Sequence, residues 1–238
     1  MIQRHFTAIA SIYDRMNRLL SLGLDRCWRQ KALLLIPPCR PSHIIDLATG
    51  TGDLAFLLAE RFTEANVLGI DFTPTMLKIA QSRNTCPRVL FAEADAQSFR
   101  ASLACKDASV DLVTCAFGFR NFPNRATALS ECAHVLRLDG KLLVLEFFRP
   151  KYRILGALTG LWIRMLAWLF APDCQSAYTH LRESMQGTCS EDAFIQEAKT
   201  RGLKFIDRRF FPPACTALLF SREMGRQAEP LAEPHNPS

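Results

Sequence analysis

The sequence predicts an α/β protein with a doubly wound, mostly parallel sheet of seven strands. Three observations carry this. Strand-like and helix-like runs alternate with short connections from His43 onward, and parallel neighbours need such crossover helices. The first strand-like run, Ile44-Ile45-Asp46-Leu47, breaks into a turn with two glycines one residue apart, Gly50-Thr51-Gly52. The second, Val67-Leu68-Gly69-Ile70-Asp71, ends in a carboxylate. Open α/β sheets hold adenosine-type ligands with such a pair of strand ends.

From Phe6 to Leu35 the apolar residues Ile9, Ile12, Tyr13, Met16, Leu19 and Leu20 recur at three and four, the period of an amphipathic helix, with a second helix after Gly23. Pro37, Pro38 and Pro41 stop helix formation, so residues 1–41 read as an N-terminal helical cap. Residues 42–222 read as the main domain. Its strands are expected at His43–Leu47, Asn66–Asp71, Val89–Glu93, Val110–Cys115 and Lys141–Phe147, with Asp139-Gly140 turning into the last of these. Helices are expected at Asp53–Phe62, Thr75–Ser82 and Ala126–Leu136.

After Pro150 the pattern is interrupted by an insertion, 151–189, containing the very apolar stretch 154–170. Arg164 near its middle, with Gly156, Thr159 and Gly160, argues against a membrane span and for a buried or interfacial helix pair. Ser190–Arg201 reads as a helix, and Leu203–Phe211 and Cys215–Ser221 as strands joined at Pro212-Pro213. Residues 223–238, with Pro230, Pro234 and Pro237, read as a disordered tail.

The composition, 49% apolar and 22% charged over 238 residues, is that of a globular chain with a generous core. Its net charge of +6 is scattered rather than concentrated on a face or tail, which argues against nucleic acid and fits weak attraction to an anionic membrane surface. None of the nine cysteines forms a Cys-x-x-Cys pair or lies near a His at metal-ligand spacing. They read as small apolar residues in a reducing compartment. The N-terminus has no continuous apolar signal core, so a cytoplasmic protein is expected.

Glycines at 50 and 52 let the turn bend sharply and approach a ligand closely. The spacing alone also permits an NAD site, because Gly50-Thr51-Gly52-Asp53-Leu54-Ala55 fits the dinucleotide pattern with Ala in third place. The carboxylates shift the balance. Asp46, inside the end of the first strand, would attract a cationic amino-acid group and do nothing for a pyrophosphate. Asp71 can accept from both ribose hydroxyls, and Asp95, with the Ala96 amide beside it, can accept from an adenine amino group. Asp53 reads as a helix N-terminal residue.

On these residues the chain resembles the class I S-adenosylmethionine-dependent methyltransferases. More closely it resembles the quinone C-methyltransferases that act on demethylmenaquinone or a ubiquinone precursor. The specific blocks are Phe6 to Asn17 with its Tyr13-Asp14-Arg15-Met16-Asn17, Leu22 to Trp28, and Phe117-Gly118-Phe119-Arg120-Asn121. Leu142 to Phe147 and Tyr178 to Ser184 add weaker ones.

The resemblance implies a Rossmann-like sheet with S-adenosyl-L-methionine as cofactor, bound by Asp46, Gly50, Thr51, Gly52, Asp71, Asp95, Ala96 and Ala116. It implies a prenylated quinol as partner, with Arg120, Asn121 and Tyr13 as catalytic residues beside the quinol hydroxyl. Arg120 stays protonated and is therefore expected to stabilise the developing oxyanion or activate a water rather than remove a proton directly. His134 reads as structural, and His180 stands where the family usually has another residue. Two departures stand out: Ala116 replaces a frequent Ser, and Asp25 replaces the usual His before Arg26.

Menaquinone biosynthesis is the favoured setting, with the benzoquinol substrate as the alternative. An NAD-dependent oxidoreductase and a non-catalytic cofactor-binding subunit of an assembly are the remoter readings. The stretch 154–170 is expected to cover the prenyl tail, touch the membrane surface as a peripheral contact, or pack in the core. Monomer and homodimer are equally compatible with the sequence.

Overall fold

The computed structural model describes residues 23–149, 189–212 and 215–223. Tyr13, His180, the stretch 154–170 and the C-terminal tail lie outside them. In chain order the described elements are α1 (Leu24–Leu33), β1 (His43–Leu47), α2 (Asp53–Arg61), β2 (Asn66–Asp71), α3 (Pro74–Arg83), β3 (Val89–Glu93) and α4 (Phe99–Ser102). Then follow β4 (Val110–Ala116), a 3-10 turn (Phe119–Asn121), α5 (Arg125–Val135), β5 (Leu136–Phe147), α6 (Glu191–Lys199), β6 (Leu203–Phe211) and β7 (Cys215–Arg222).

The strands form one seven-stranded sheet in the order β3-β2-β1-β4-β5-β7-β6. The first five are parallel, and β7 runs antiparallel to both β5 and β6. Chain order reverses between β1 and β4, and ligands in open sheets bind at that switch point.

Strand alternation divides the core between the two faces. Ile45, Leu47, Val113, Leu142, Val144, Leu218 and Phe220 join the cluster under α5 and α6. Ile44, Leu112, Leu143, Leu145, Ala217 and Leu219 join the cluster under α1 and α2. Asp46 therefore shares the α1–α2 face with Ile44, and its register partner on β4 is Thr114.

Two elements differ from the sequence reading. β5 begins at Leu136, directly after α5, and the Asp139-Gly140 turn lies inside it as an irregularity. Asp139 there has a φ of 63°. The early start is stitched in place: Ala108 and Ser109 amides donate to the His134 and Val135 carbonyls, and the Arg222 guanidinium donates to the His134 and Leu136 carbonyls. The helix α4 was not foreseen, since one turn is too short to show a period. Its Phe99 is fully buried, and the Arg100 amide and guanidinium are held by Glu131.

Candidate active site

An open cleft lies over the C-terminal ends of β1, β2 and β4. Its wall includes Asp46, Gly50, Thr51, Asp71, Phe117 and Asn121. Ala48 and Phe117, just past the ends of β1 and β4, both line it, and both are non-glycine residues with positive φ, 49° and 60°. Such conformations cost about 1–3 kcal/mol each and gather at functional sites.

The two glycines of the turn do different things. Gly50 has a φ of 57° and lines the cleft, and a Cβ there would meet nothing within 4 Å. At Gly52, with a φ of 89°, a Cβ would come within 2.9 Å of Phe56 and 3.0 Å of Phe91, and the residue is absent from the lining. The missing side chain of Gly52 makes room for two phenylalanine rings behind the turn.

Asp46 is 1% exposed, and its two oxygens accept from the Thr49 and Thr114 hydroxyls at 2.6 Å each. Burial pushes its carboxyl up to about 6, although the two hydroxyl bonds and the attraction of Arg29 pull the other way. No ammonium or guanidinium bonds it among the described residues. A carboxylate held this way favours an incoming cation.

Asp71 accepts from the Gly50 amide and the Thr73 amide, both at 2.9 Å, so it braces the glycine turn as well as facing the cleft. Burial raises its pKa too, with those amides opposing the rise. Asp95 and Ala96 line a neighbouring depression that shares Ala48, Asp71 and Asn121 with the main cleft. Asp95 is exposed and accepts from the Gln97 amide at 2.9 Å. Asp53 opens α2 and pairs with Arg83 at 2.6 Å, consistent with a helix-start role.

The structure separates Arg120 from Asn121. Asn121 lines the cleft and donates from Nδ2 to the Phe117 carbonyl at 3.4 Å. Arg120 does not line it. Its guanidinium meets Glu146 at 2.6 Å, with side-chain exposures of 6% and 1%, and lies 5.7 Å from the ring centroids of both Phe117 and Phe147. This pair ties the turn at Phe119–Asn121 to β5.

Glu146 is therefore a residue the sequence reading passed over. Its two oxygens accept from the Arg120 guanidinium, the Arg120 amide and the Phe147 amide. His134 bonds the Ser130 carbonyl at 2.7 Å on α5, away from the cleft.

A second missed residue is Arg29, which reaches the cleft wall from α1. The buried positions of α1 are Asp25, Trp28, Arg29, Ala32 and Leu33, spaced as one apolar stripe. The detectable signal was a charge at two positions of that stripe.

The donor set of two buried carboxylates, two hydroxyls, an open glycine and one guanidinium fits an adenosyl amino-acid cation. It does not fit a diphosphate, which would stand beside Asp46 and Asp71. Among the described residues no cluster of three metal-ligating side chains occurs, and no helix is long and apolar enough to cross a membrane.

Comparison with known proteins agrees with the geometry. Residues 1–218 match the ubiE/COQ5 methyltransferase family. The chain is 42% identical over 193 residues to a demethylmenaquinone methyltransferase of Thermus thermophilus, covering 79% of this chain and 86% of that protein. It is 32% identical over 232 residues to the ubiquinone/menaquinone biosynthesis C-methyltransferase UbiE of Campylobacter jejuni, covering 92% and 96%. An S-adenosylmethionine-dependent methyltransferase structure from Thermotoga maritima superposes with a TM-score of 0.66 at 15% identity, over 94% of this chain and all of that one. At that identity the likeness speaks for the fold.

Proposed function

The chain belongs to the ubiE/COQ5 methyltransferase family and is an S-adenosylmethionine-dependent methyltransferase, and from that premise we propose that it methylates a ring carbon of demethylmenaquinol. The observation that carries the proposal is that Asn121, from the Phe-Gly-x-Arg-Asn turn, shares a cleft wall with Asp46, Gly50 and Asp71. Donor-side and acceptor-side residues thus converge at one switch point.

When bound, S-adenosylmethionine supplies an electrophilic methyl group. Asp46, Gly50, Thr51, Asp71, Asp95, Ala96 and Ala116 are the residues that would hold it. The quinol becomes nucleophilic when a ring hydroxyl loses its proton, and the methylated carbon then sheds its own proton to restore the aromatic ring. The protein's task is alignment and exclusion of water. In this reading Asn121 faces the quinol oxygen, and Tyr13, outside the described residues, closes over it. Arg120 acts from behind the wall, where Glu146 fixes the turn that carries Asn121.

The naphthoquinol substrate is supported by relatives named demethylmenaquinone methyltransferase at 42% and 36% identity. The benzoquinol alternative is supported by the UbiE-named relative. Incubation with S-adenosylmethionine and each demethylated quinol, followed by mass spectrometry, tests both. A product from the naphthoquinol alone sustains the proposal, and a product from the benzoquinol alone overturns it. We further propose that 154–170 contacts the membrane surface. Trp162→Ser should then release the folded protein from liposomes in a sedimentation assay, and unfolding instead would assign the stretch to the core.

A further inference from the structure

We propose that Arg29 is a ligand for the α-carboxylate at the amino-acid end of the methyl donor, with Asp46 taking the ammonium of the same end. The inference rests on the methyltransferase reading of the cleft and deepens it.

The argument begins on α1. Its apolar stripe packs Trp28, Ala32 and Leu33 into the same cluster as Ile44 and Leu54, which seats Arg29 on the sheet face that carries Asp46. Both residues line the cleft, and Arg29 acts electrostatically on Asp46. Arg29 is held by Asp25 at 2.6 Å, with side-chain exposures of 9% and 6%, and its guanidinium lies 5.3 Å from the Phe117 ring centroid.

A buried ion pair on a packing stripe is a poor source of stability, since apolar residues of similar size would serve as well or better. Its placement at a ligand wall gives it another use. Asp25 engages one side of the guanidinium through Nη1, and a guanidinium carries five N–H donors in a planar fork. A carboxylate is the anion that such a fork suits. Asp46 and Arg29 together present one negative and one positive group to a single cleft, and an α-amino acid zwitterion complements both. Among the described residues the cleft wall carries no lysine, and its guanidinium comes from α1.

The test is calorimetric binding of S-adenosylhomocysteine and of its decarboxylated counterpart, which keeps the adenosine and the amine and lacks the carboxylate. Wild type should prefer the carboxylated ligand. Arg29→Gln should weaken S-adenosylhomocysteine by roughly tenfold to a hundredfold and the decarboxylated ligand by less than about threefold, erasing the preference. Arg29→Lys should restore part of it. Equal weakening of both ligands, or no change in either, overturns the proposal. If wild type binds neither ligand, the methyltransferase reading fails instead. Should Arg29→Gln not fold because it removes the arginine that faces the buried Asp25 carboxylate, the double variant Asp25→Asn with Arg29→Gln removes both charges, and the same selective loss is expected of it.

Discussion

Two buried arginine–carboxylate pairs reach the ring of Phe117, and they differ in what else they touch. Arg29–Asp25 and Arg120–Glu146 both close at 2.6 Å. The first lies within one helix, four residues apart, and its arginine lines the cleft. The second spans 26 residues, joins β5 to the turn at Phe119–Asn121, and is not among the residues that line the cleft. The same chemical pair therefore does two jobs. Arg29–Asp25 holds a guanidinium on the cleft wall, and Arg120–Glu146 fixes backbone at the turn.

The largest effect expected from this contrast is on folding. Glu146→Ala leaves the Arg120 charge buried without its carboxylate and should cost about 3–5 kcal/mol in urea denaturation. A loss below about 1 kcal/mol would remove the structural half of the comparison. Arg120→Ala should lower the methylation rate more than tenfold while leaving cofactor affinity within a few-fold. Equal losses of both would mean that the pair reaches the donor side after all.

Asp25→Ala should destabilise less than Glu146→Ala, by about 1–3 kcal/mol, because Arg29 borders an open cleft where water can approach. Saturating S-adenosylhomocysteine should recover part of that loss, as thermal melts would show. No recovery would place Arg29 with Arg120 as a purely structural cation.

The smallest effect is the pH response of Asp46. Its carboxyl sits near 6 against an ordinary 3.8, so the folded protein holds this proton more tightly than the unfolded chain does. Its contribution to stability is therefore full below the unfolded value and is lost as pH rises through about 6. Donor binding runs the other way, because only the carboxylate attracts the ammonium. Lowering the pH from 7 to 5 should weaken S-adenosylhomocysteine by roughly tenfold, one pH unit past the folded value. Calorimetry across that range checks it, and Asp46→Asn should flatten the profile.

Much of this architecture was legible from local pattern. The bounds of β1, β2, β3 and β6 coincide with the runs read from sequence; β1, β2 and β3 are short β-prone runs, and Gly202 and Pro212 bracket β6. β5 was misread at its start because Asp139-Gly140 has turn chemistry, while the carbonyls of His134 and Leu136 are claimed by Arg222 from β7. Arg222 lies 86 residues beyond Leu136, so no local signal announces it.

The site divides along the same line. Asp46, Gly50 and Asp71 could be named from the chain because strand ends and a glycine turn place them within a few residues of one another. Gly52 could not be told from Gly50, since the difference is the presence of Phe56 and Phe91 behind it. Arg120 and Asn121 could not be told apart either, until Glu146 on β5 drew one of them back from the cleft.

By itself the sequence determined the strand and helix order, the switch-point turn, the carboxylates that exclude a diphosphate, and the family, because these are written in spacing and residue type. Only the tertiary structure decided which of two arginines lines the cleft. That choice depends on how α1 packs across the sheet and on which charge lies opposite each guanidinium, and both are contacts between residues far apart along the chain.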